Sequence, residues 1–140
     1  MAYLMAALGG ALGALARWGI TRLVPASPGH WPWSTFAVNL SGCLAIGVLL
    51  AVLPTRFPQV TWLRPLLAVG VLGGYTTFST FAVESVRLAG GGASAVAVGY
   101  VIASVAGGAA CVFAGLTAAR AVLHPSESLL DELEAGEGQS

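Results

Sequence analysis

The chain has 140 residues, of which 56% are hydrophobic and only 9% are charged. Soluble domains carry about 25% charged residues, so this composition excludes an ordinary soluble globular protein. All six basic residues are arginines, and five of the six acidic residues lie in the last fourteen positions. The net charge of zero is therefore the sum of a weakly basic body and an acidic tail.

Four apolar segments are each long enough to cross a membrane, which takes about 20 residues. We predict helices over residues 3–24, 33–53, 63–86 and 93–123. The first segment lacks a basic start and a cleavage site, so we interpret it as a membrane helix and not as a signal peptide. The expected fold is an all-α, multi-pass membrane domain over residues 1–124, followed by an acidic and flexible tail over 125–140.

The first predicted helix carries Arg17 near its end. A long arginine side chain can reach back to the membrane interface, and its charge is also the simplest attractor for an anion at a pore entrance. Pairs of small residues four apart, such as Gly9 and Gly13, let helices approach closely. They favour both a tight oligomer and close packing within one subunit.

The second predicted helix carries an amide, Asn39, deep in an apolar run. An unpaired amide in hydrocarbon costs several kcal/mol, so this side chain must face protein or a polar pathway. One interpretation is a hydrogen bond between packed helices, and the other is a donor lining an ion path. Thr35 lies one turn earlier on the same face and extends the polar line.

The third segment contains the least ordinary stretch, residues 70–81, with sequence GVLGGYTTFSTF. Adjacent glycines lower helix propensity, and the hydroxyls that follow compete for backbone hydrogen bonds. Irregular backbone at membrane depth is tolerated only where protein or a polar cavity surrounds it. We therefore predict a helix broken near the bilayer midplane, where membrane proteins bind ions.

Aromatic and polar side chains follow the predicted break. Phe78 and Phe81 share one helix face, which fits core packing or a ring edge presented to a small anion. Glu84 near the end of the segment is interpreted as a vestibule or helix-end charge. In the fourth segment Tyr100 and Ser104 form a polar stripe.

The arginines give no preferred orientation. With the N-terminus inside, three lie at inside loops and three at outside ends: Arg56, Arg64 and Arg120 against Arg17, Arg22 and Arg87. Either other signals decide the topology, or the chain inserts both ways and pairs antiparallel with a second copy. Four helices alone enclose little, so we expect a homodimer.

The predicted chemistry is that of ion binding and not of an enzyme. No nucleophile and base lie together at membrane depth, and we expect no nucleic-acid partner. Backbone carbonyls freed at a helix break suit a monovalent cation such as Na⁺, whereas Ca²⁺ and Mg²⁺ usually require carboxylates.

Three motifs in this chain resemble those of the Fluc (CrcB-like) fluoride channels of microbial membranes, over about residues 3–123. They are GGALGALARW at 9–18, TFAVNLSG at 35–42 and GGYTTFSTF at 73–81. Trp18 replaces the usual tyrosine, and Ser34 stands where a glycine is common. The acidic tail has no counterpart in these motifs.

The resemblance implies an antiparallel, dual-topology homodimer in the cell membrane, with two fluoride pathways and one structural Na⁺ at the interface. By position, the Na⁺ ligands would be the backbone carbonyls of Gly73 and Thr76. The pathway residues would be Asn39, Phe78, Phe81, Tyr100 and Ser104, with Thr35 and Glu84 near the same path. A hydroxyl is missing at Gly108, one turn beyond Ser104. The implied role is passive export of fluoride that accumulates through acid trapping of HF.

Two other functions are compatible with a small four-helix membrane protein. Small multidrug exporters also form antiparallel pairs. Members of that group share a membrane-embedded glutamate in the first helix, and the first helix of this chain has none. A membrane scaffold without transport would leave the polar line through Asn39, Thr76, Ser79 and Ser104 without a purpose.

Overall fold

Four long apolar helical spans make up residues 1–123, the part of the chain that this computed structural model describes. The first span is α1 (Ala2–Leu23) and the second is α2 (Trp33–Arg56). The third consists of a π-helical segment (Pro65–Leu72), a single turn α3 (Gly73–Tyr75) and α4 (Phe78–Gly90). The fourth span is α5 (Ser94–Leu123). The all-helical prediction with four membrane-length spans is confirmed, and the acidic tail predicted over 125–140 lies outside the described residues.

Three features of the spans differ from what the sequence indicated. The third span ends at Gly90, four residues past its predicted end. α2 continues to Arg56, three residues past the predicted end, with Pro54 in its last turns. Proline there removes one N–H donor, a small loss so close to the helix end. The first half of the third span is π-helical over eight residues. π-helical turns are rare overall, and those that occur often lie at functional sites.

The connections between the spans are short and use glycine where the chain reverses. Gly29 has φ +74° in the loop between α1 and α2, and Gly92 has φ +84° between α4 and α5. Residues with a Cβ adopt this left-handed region reluctantly, so glycine is the natural choice at both turns. Each turn returns the chain to the membrane on the side from which it emerged.

The spans pack as two groups of helices. α1 lies against the π-helical segment and α3, whereas α5 lies against both α2 and α4. Glycines bring backbones into direct contact within each group: a Cβ at Gly13 would overlap the backbone of Val71 and Tyr75, and one at Gly47 would overlap that of Val112. The predicted close approach at small residues is thus present within one subunit.

The interior of a single chain is small. The largest fully buried side chains are Tyr100, Val38 and Thr35. A row of α1 leucines, by contrast, is more than half exposed at every position: Leu4, Leu8, Leu12 and Leu15. In a chain with four membrane-length spans, such apolar faces are covered by lipid or by another protein chain.

Regular helix is interrupted halfway along the third span. Thr76 has φ −75° and ψ 160°, and Thr77 has φ −148° and ψ 115°, so both residues are extended. They stand between the end of α3 and the start of α4 in a span of 26 residues. The interruption lies within the stretch of glycines and hydroxyl residues at 70–81.

Replacing Gly13 by alanine should destabilise the protein, because the added methyl group meets backbone that cannot move aside. Overpacking of this kind typically costs about 1–3 kcal/mol. Gly19→Ala is the matched control in the same helix, since a Cβ there has no neighbour within 4 Å. Thermal unfolding of the two purified variants in detergent makes the comparison, and equal melting temperatures would contradict the close contact.

Candidate ion-binding site at the interruption of the third span

The side chain of Asn39 in α2 binds both backbone groups of Thr77. Its Oδ1 accepts a hydrogen bond from the Thr77 N–H at 2.9 Å, and its Nδ2 donates to the Thr77 carbonyl at 3.0 Å. Backbone groups left unpaired at membrane depth cost several kcal/mol each. An amide is suited to this position because it offers one acceptor and one donor in fixed geometry. Asn39 therefore makes a hydrogen bond between packed helices, and any role as a donor in an ion path starts from a side chain that is already bonded to Thr77.

The start of α4 is held in a second way. The Thr77 hydroxyl oxygen accepts a hydrogen bond from the Thr80 N–H at 3.1 Å, the usual arrangement for a threonine before the first helical residue. The same hydroxyl donates to Thr80 Oγ1 at 2.9 Å. The sequence run of hydroxyls thus supplies the cap of α4.

These two contacts free the carbonyl oxygens of Gly73 and Thr76 from their helical donors. In a continuous helix the Thr77 N–H would bond to the Gly73 carbonyl and the Thr80 N–H to the Thr76 carbonyl. Here the first donor bonds to Asn39 and the second to the Thr77 side chain. The carbonyls of Gly73 and Thr76, predicted as cation ligands, are thus among the four at residues 73–76 that lose their helical donors at the interruption, and the Gly74 carbonyl is bonded to Arg17 instead.

Arg17 reaches the same place from α1. Its Nε donates a hydrogen bond to the Gly74 carbonyl at 3.1 Å, and the side chain is partly buried. The last carbonyls of a helical segment carry partial negative charge, which favours a cation nearby. Arg17, predicted to attract anions, thus also caps the helical segment that ends at α3. The sequence alone did not indicate this contact.

A groove of about 440 Å³ runs along one side of the interruption. It is open on one side of the single chain and is mostly apolar. Six of the residues predicted for ion binding lie together on its wall: Asn39, Gly73, Thr76, Phe78, Phe81 and Ser104. The extended residues and the first turn of α4 therefore bring the predicted cation ligands and the predicted pathway residues to one surface.

The two phenylalanines of α4 differ in their surroundings. Their ring centroids are 5.9 Å apart, but Phe78 is 81% exposed in the single chain, whereas Phe81 packs 5.3 Å from the ring of Tyr100. Apart from its contact with Phe81, the Phe78 ring is open to the surroundings of the single chain at the edge of the groove. Core packing within one chain therefore explains Phe81 and leaves Phe78 unexplained.

Glu84 joins three helices through its carboxylate. Thr35 Oγ1 of α2 donates to Oε1 at 2.9 Å, and the Tyr100 hydroxyl of α5 donates to Oε2 at 3.1 Å. Thr35 and Tyr100 are almost fully buried. Glu84 and Arg87 also line a second recess of about 420 Å³ beside the loop between α1 and α2. This network stands apart from the groove wall and is linked to it through the contact of Tyr100 with Phe81.

Two buried polar atoms have no hydrogen-bond partner among the described residues: Ser104 Oγ and Trp31 Nε1. Ser104 lies on the groove wall, but its Oγ is itself buried and makes no hydrogen bond among the described residues. Trp31 belongs to an aromatic cluster with Phe36 and Tyr100, at centroid distances of 5.4 and 5.5 Å. The contact with Tyr100 joins α5 to the start of α2, and it was not apparent from the sequence.

Side-chain metal ligands are not grouped in the part of the chain that is described, where no three His, Cys, Asp or Glu residues could hold an ion together. Oxygen atoms of the backbone are what this site offers a cation. Carbonyl oxygens without carboxylates suit a monovalent hard cation and do not suit Ca²⁺ or Mg²⁺. The donor set fits the predicted Na⁺.

Replacing Asn39 by leucine should destabilise the protein, since Thr77 then loses a donor and an acceptor at once. The Thr77 carbonyl still accepts the first intrahelical bond of α4, but the Thr77 N–H is left without an acceptor, and one unsatisfied buried donor costs about 1–3 kcal/mol. Thr117→Val is the control, because the exposed Thr117 hydroxyl bonds only to carbonyls of its own helix. Detergent unfolding curves measure both; a loss for Asn39→Leu no larger than for the control would show that Thr77 does not depend on this amide.

Comparison with known proteins shows which family the chain belongs to. The family described as CrcB-like protein, Camphor Resistance (CrcB), matches residues 4–116. A protein of Nocardia farcinica named fluoride-specific ion channel FluC 2 is 47% identical over 113 residues, which is 81% of each chain. Proteins named fluoride-specific ion channel FluC are 47% identical in Paracoccus denitrificans, over 84% of this chain and 94% of the relative, and 45% identical in Chloroflexus aurantiacus, over 79% and 88%. With its four membrane-length spans and this match over most of its length, the chain is a multi-pass membrane protein of the CrcB-like family.

Proposed function

We propose that this protein is a fluoride-specific channel that lets fluoride leave the cell passively. One observation supports the proposal most strongly: the interruption of the third span presents freed backbone and aromatic side chains to one groove. It occurs in a chain 47% identical to proteins that are named fluoride-specific ion channels. Passive flow needs only a path and a fluoride gradient. Fluoride that enters as HF at acidic pH and ionises inside the cell supplies such a gradient.

The anion path in this proposal follows the groove on the α4 side of the interruption. The first amides of α4 carry partial positive charge, which attracts an anion to the helix start. Ring edges of Phe78 and Phe81 are weakly positive, and the unpartnered Ser104 hydroxyl is a donor. Each of these groups binds weakly by itself. Conduction requires such weak and repeated contacts, because an ion that binds tightly does not leave.

The cation site in this proposal lies on the other side, at Gly73 and Thr76. Two carbonyl oxygens are too few to replace the hydration shell of Na⁺. A second subunit related by a twofold axis would add the same two atoms. A structural Na⁺ between four carbonyl oxygens would then join the subunits. Its support is that both carbonyls have lost their helical donors to Asn39 and Thr77.

The dimer in this proposal is antiparallel. The interruption lies halfway along the third span, so inverting one copy brings both interruptions to the same depth. Balanced arginines allow insertion in both directions. The open groove, the exposed Phe78 ring and the exposed leucines of α1 are surfaces that a second copy would cover. We place the dimer in the cytoplasmic membrane, where export relieves the cell of fluoride.

A small multidrug exporter is the second candidate and is less well supported. Proton-coupled export needs a carboxylate that a substrate can reach within the membrane. α1 has no acidic residue, and both carboxylate oxygens of Glu84 accept hydrogen bonds from buried hydroxyls. The groove itself is lined by no charged side chain. A hydrophobic cation would find no counter-charge there.

Fluoride efflux from liposomes that contain the purified protein tests the proposed function. A fluoride electrode should record rapid release after the membrane potential is cancelled with an ionophore, and no comparable release of chloride. Absence of fluoride-selective release would exclude the channel. Proton-driven movement of a hydrophobic cation would instead favour the exporter.

The same assay tests the pore role of the aromatic rings. Phe81→Ile should strongly reduce fluoride efflux while the dimer survives on size exclusion, because an aliphatic side chain has no positive ring edge. Phe113→Ile is the matched control, since Phe113 is 68% exposed on α5 and lies outside the groove. Unchanged efflux in Phe81→Ile would remove this ring from the path.

Sodium should raise the melting temperature of the purified protein in a concentration-dependent manner. A ligand that binds only the folded state stabilises it by about 2.7 kcal/mol at one hundred times its dissociation constant. N-methyl-D-glucamine chloride at equal ionic strength is the control. Identical unfolding curves in the two salts, in protein first dialysed free of sodium, would contradict a structural Na⁺.

A further inference from the structure

A chain of aromatic rings joins the loop between α1 and α2 to the groove. Trp31 of that loop contacts Tyr100 of α5 with ring centroids 5.5 Å apart, and Tyr100 contacts Phe81 of α4 at 5.3 Å. Phe81 lies on the groove wall, whereas Trp31 does not line the groove. Tyr100 is therefore the ring through which Trp31 can influence the shape of the groove.

The Trp31 ring is held by packing and not by a hydrogen bond. It meets Tyr100 and Phe36 edge to face, at an interplanar angle of 83° in both pairs. This geometry is favoured because the positive edge of one ring meets the negative face of the other. The Nε1 atom of Trp31 is buried without a partner among the described residues, which disfavours the position. The surroundings therefore select the aromatic ring and not its N–H group.

The Tyr100 ring has little freedom to move independently of Trp31. Its exposed fraction is 0%, and its hydroxyl donates to Glu84 Oε2 at 3.1 Å. Trp31 and Phe81 both pack against the buried cluster to which Tyr100 belongs. Close-packed interiors transmit strain, because a removed side chain leaves a gap into which its neighbours shift. Loss of the Trp31 ring would therefore let Tyr100 and Phe81 change position together.

We infer that Trp31 is a positioning residue for the anion path, since through Tyr100 it fixes the direction of the Phe81 ring edge. This inference rests on the proposed function, in which that ring edge contacts fluoride. Such a contact depends on the orientation of the ring, because an aromatic ring is positive at its edge and negative on its face. Trp31 thus acts on the path from a loop outside the four spans, without lining the groove.

Two substitutions separate the ring of Trp31 from its N–H group in the liposome efflux assay. Trp31→Phe keeps an aromatic ring and removes an N–H that has no partner among the described residues, so fluoride efflux should stay close to that of the unsubstituted protein. Trp31→Leu removes the ring, so efflux should fall several-fold. Trp31→Met, whose flexible side chain fills irregular gaps, takes its place if the leucine variant does not fold.

Trp62→Leu is the matched control for Trp31→Leu. Trp62 is also a loop tryptophan, but it lies between α2 and the third span, is 48% exposed and does not line the groove. Its replacement should leave fluoride efflux unchanged. The comparison separates loss of a tryptophan at a membrane interface from loss of the ring that contacts Tyr100.

Fluorine NMR follows the position of Phe81 without transport. The chain has five phenylalanines and three tyrosines, so labelling with 4-fluorophenylalanine or 3-fluorotyrosine gives few resonances, and Phe81→Ile assigns that of Phe81. Trp31→Leu should shift the resonances of both Phe81 and Tyr100, whereas Trp62→Leu should shift neither. A shifted Phe81 resonance with an unchanged Tyr100 resonance would exclude Tyr100 as the intermediary.

The two readouts can contradict the inference separately. Undiminished efflux from Trp31→Leu, equal losses in Trp31→Phe and Trp31→Leu, or an unchanged Phe81 resonance in Trp31→Leu would each overturn it. If the unsubstituted protein passes no fluoride, the proposed function fails, and the effect of Trp31 on flux fails with it. The fluorine resonances would still decide whether Trp31 positions the Phe81 ring.

Discussion

Two hydrogen bonds between the Asn39 side chain and the backbone of Thr77 keep the third span from closing into a continuous helix. Without these bonds, the Thr77 N–H would return to the Gly73 carbonyl as its acceptor. Extended residues with unpaired backbone groups cost several kcal/mol of free energy in an apolar environment. The Asn39 amide oxygen replaces the lost acceptor of the Thr77 N–H, and its nitrogen is a further donor to the Thr77 carbonyl. The Thr77 hydroxyl then caps α4 in the same way. The groove, the freed carbonyls and the position of Phe78 all follow from this local exchange of donors.

The interruption places unlike helix ends next to each other. The segment that ends at α3 presents carbonyl oxygens, and α4 begins with amide donors, so partial negative and partial positive charge lie a few residues apart. Arg17 offsets part of the negative charge at the end of α3 by donating a hydrogen bond to the Gly74 carbonyl. A single stretch of chain can therefore serve ions of either sign without a charged side chain on the groove wall. In the proposed channel, this neighbourhood of unlike helix ends would let a cation site and an anion path lie within the same twelve residues.

Composition and local pattern predicted the four spans, because the membrane requires long apolar helices and few charges. The glycines and hydroxyls around Thr76 indicated where regular helix would be difficult, since those residue types favour other backbone arrangements. Contacts between distant residues were not predictable in this way. The sequence alone does not show which helix faces which. Three features depend on this: the bond from Arg17 to Gly74, the π-helical turns and the close approach of Gly108 to the Cys43 sulfur.

The division of the spans into two packed groups has a mechanical consequence. α1 is packed against the first half of the third span, and α5 against α2 and α4, so the extended residues Thr76 and Thr77 form the shortest of the three chain connections between the groups, beside the loops at 24–32 and 57–64. Gly73 belongs to one side of this joint, and the Thr76 carbonyl lies on it. An ion that held both oxygens would stiffen the joint. In the proposed dimer, the cation would therefore limit movement between the two groups of helices as well as join the subunits.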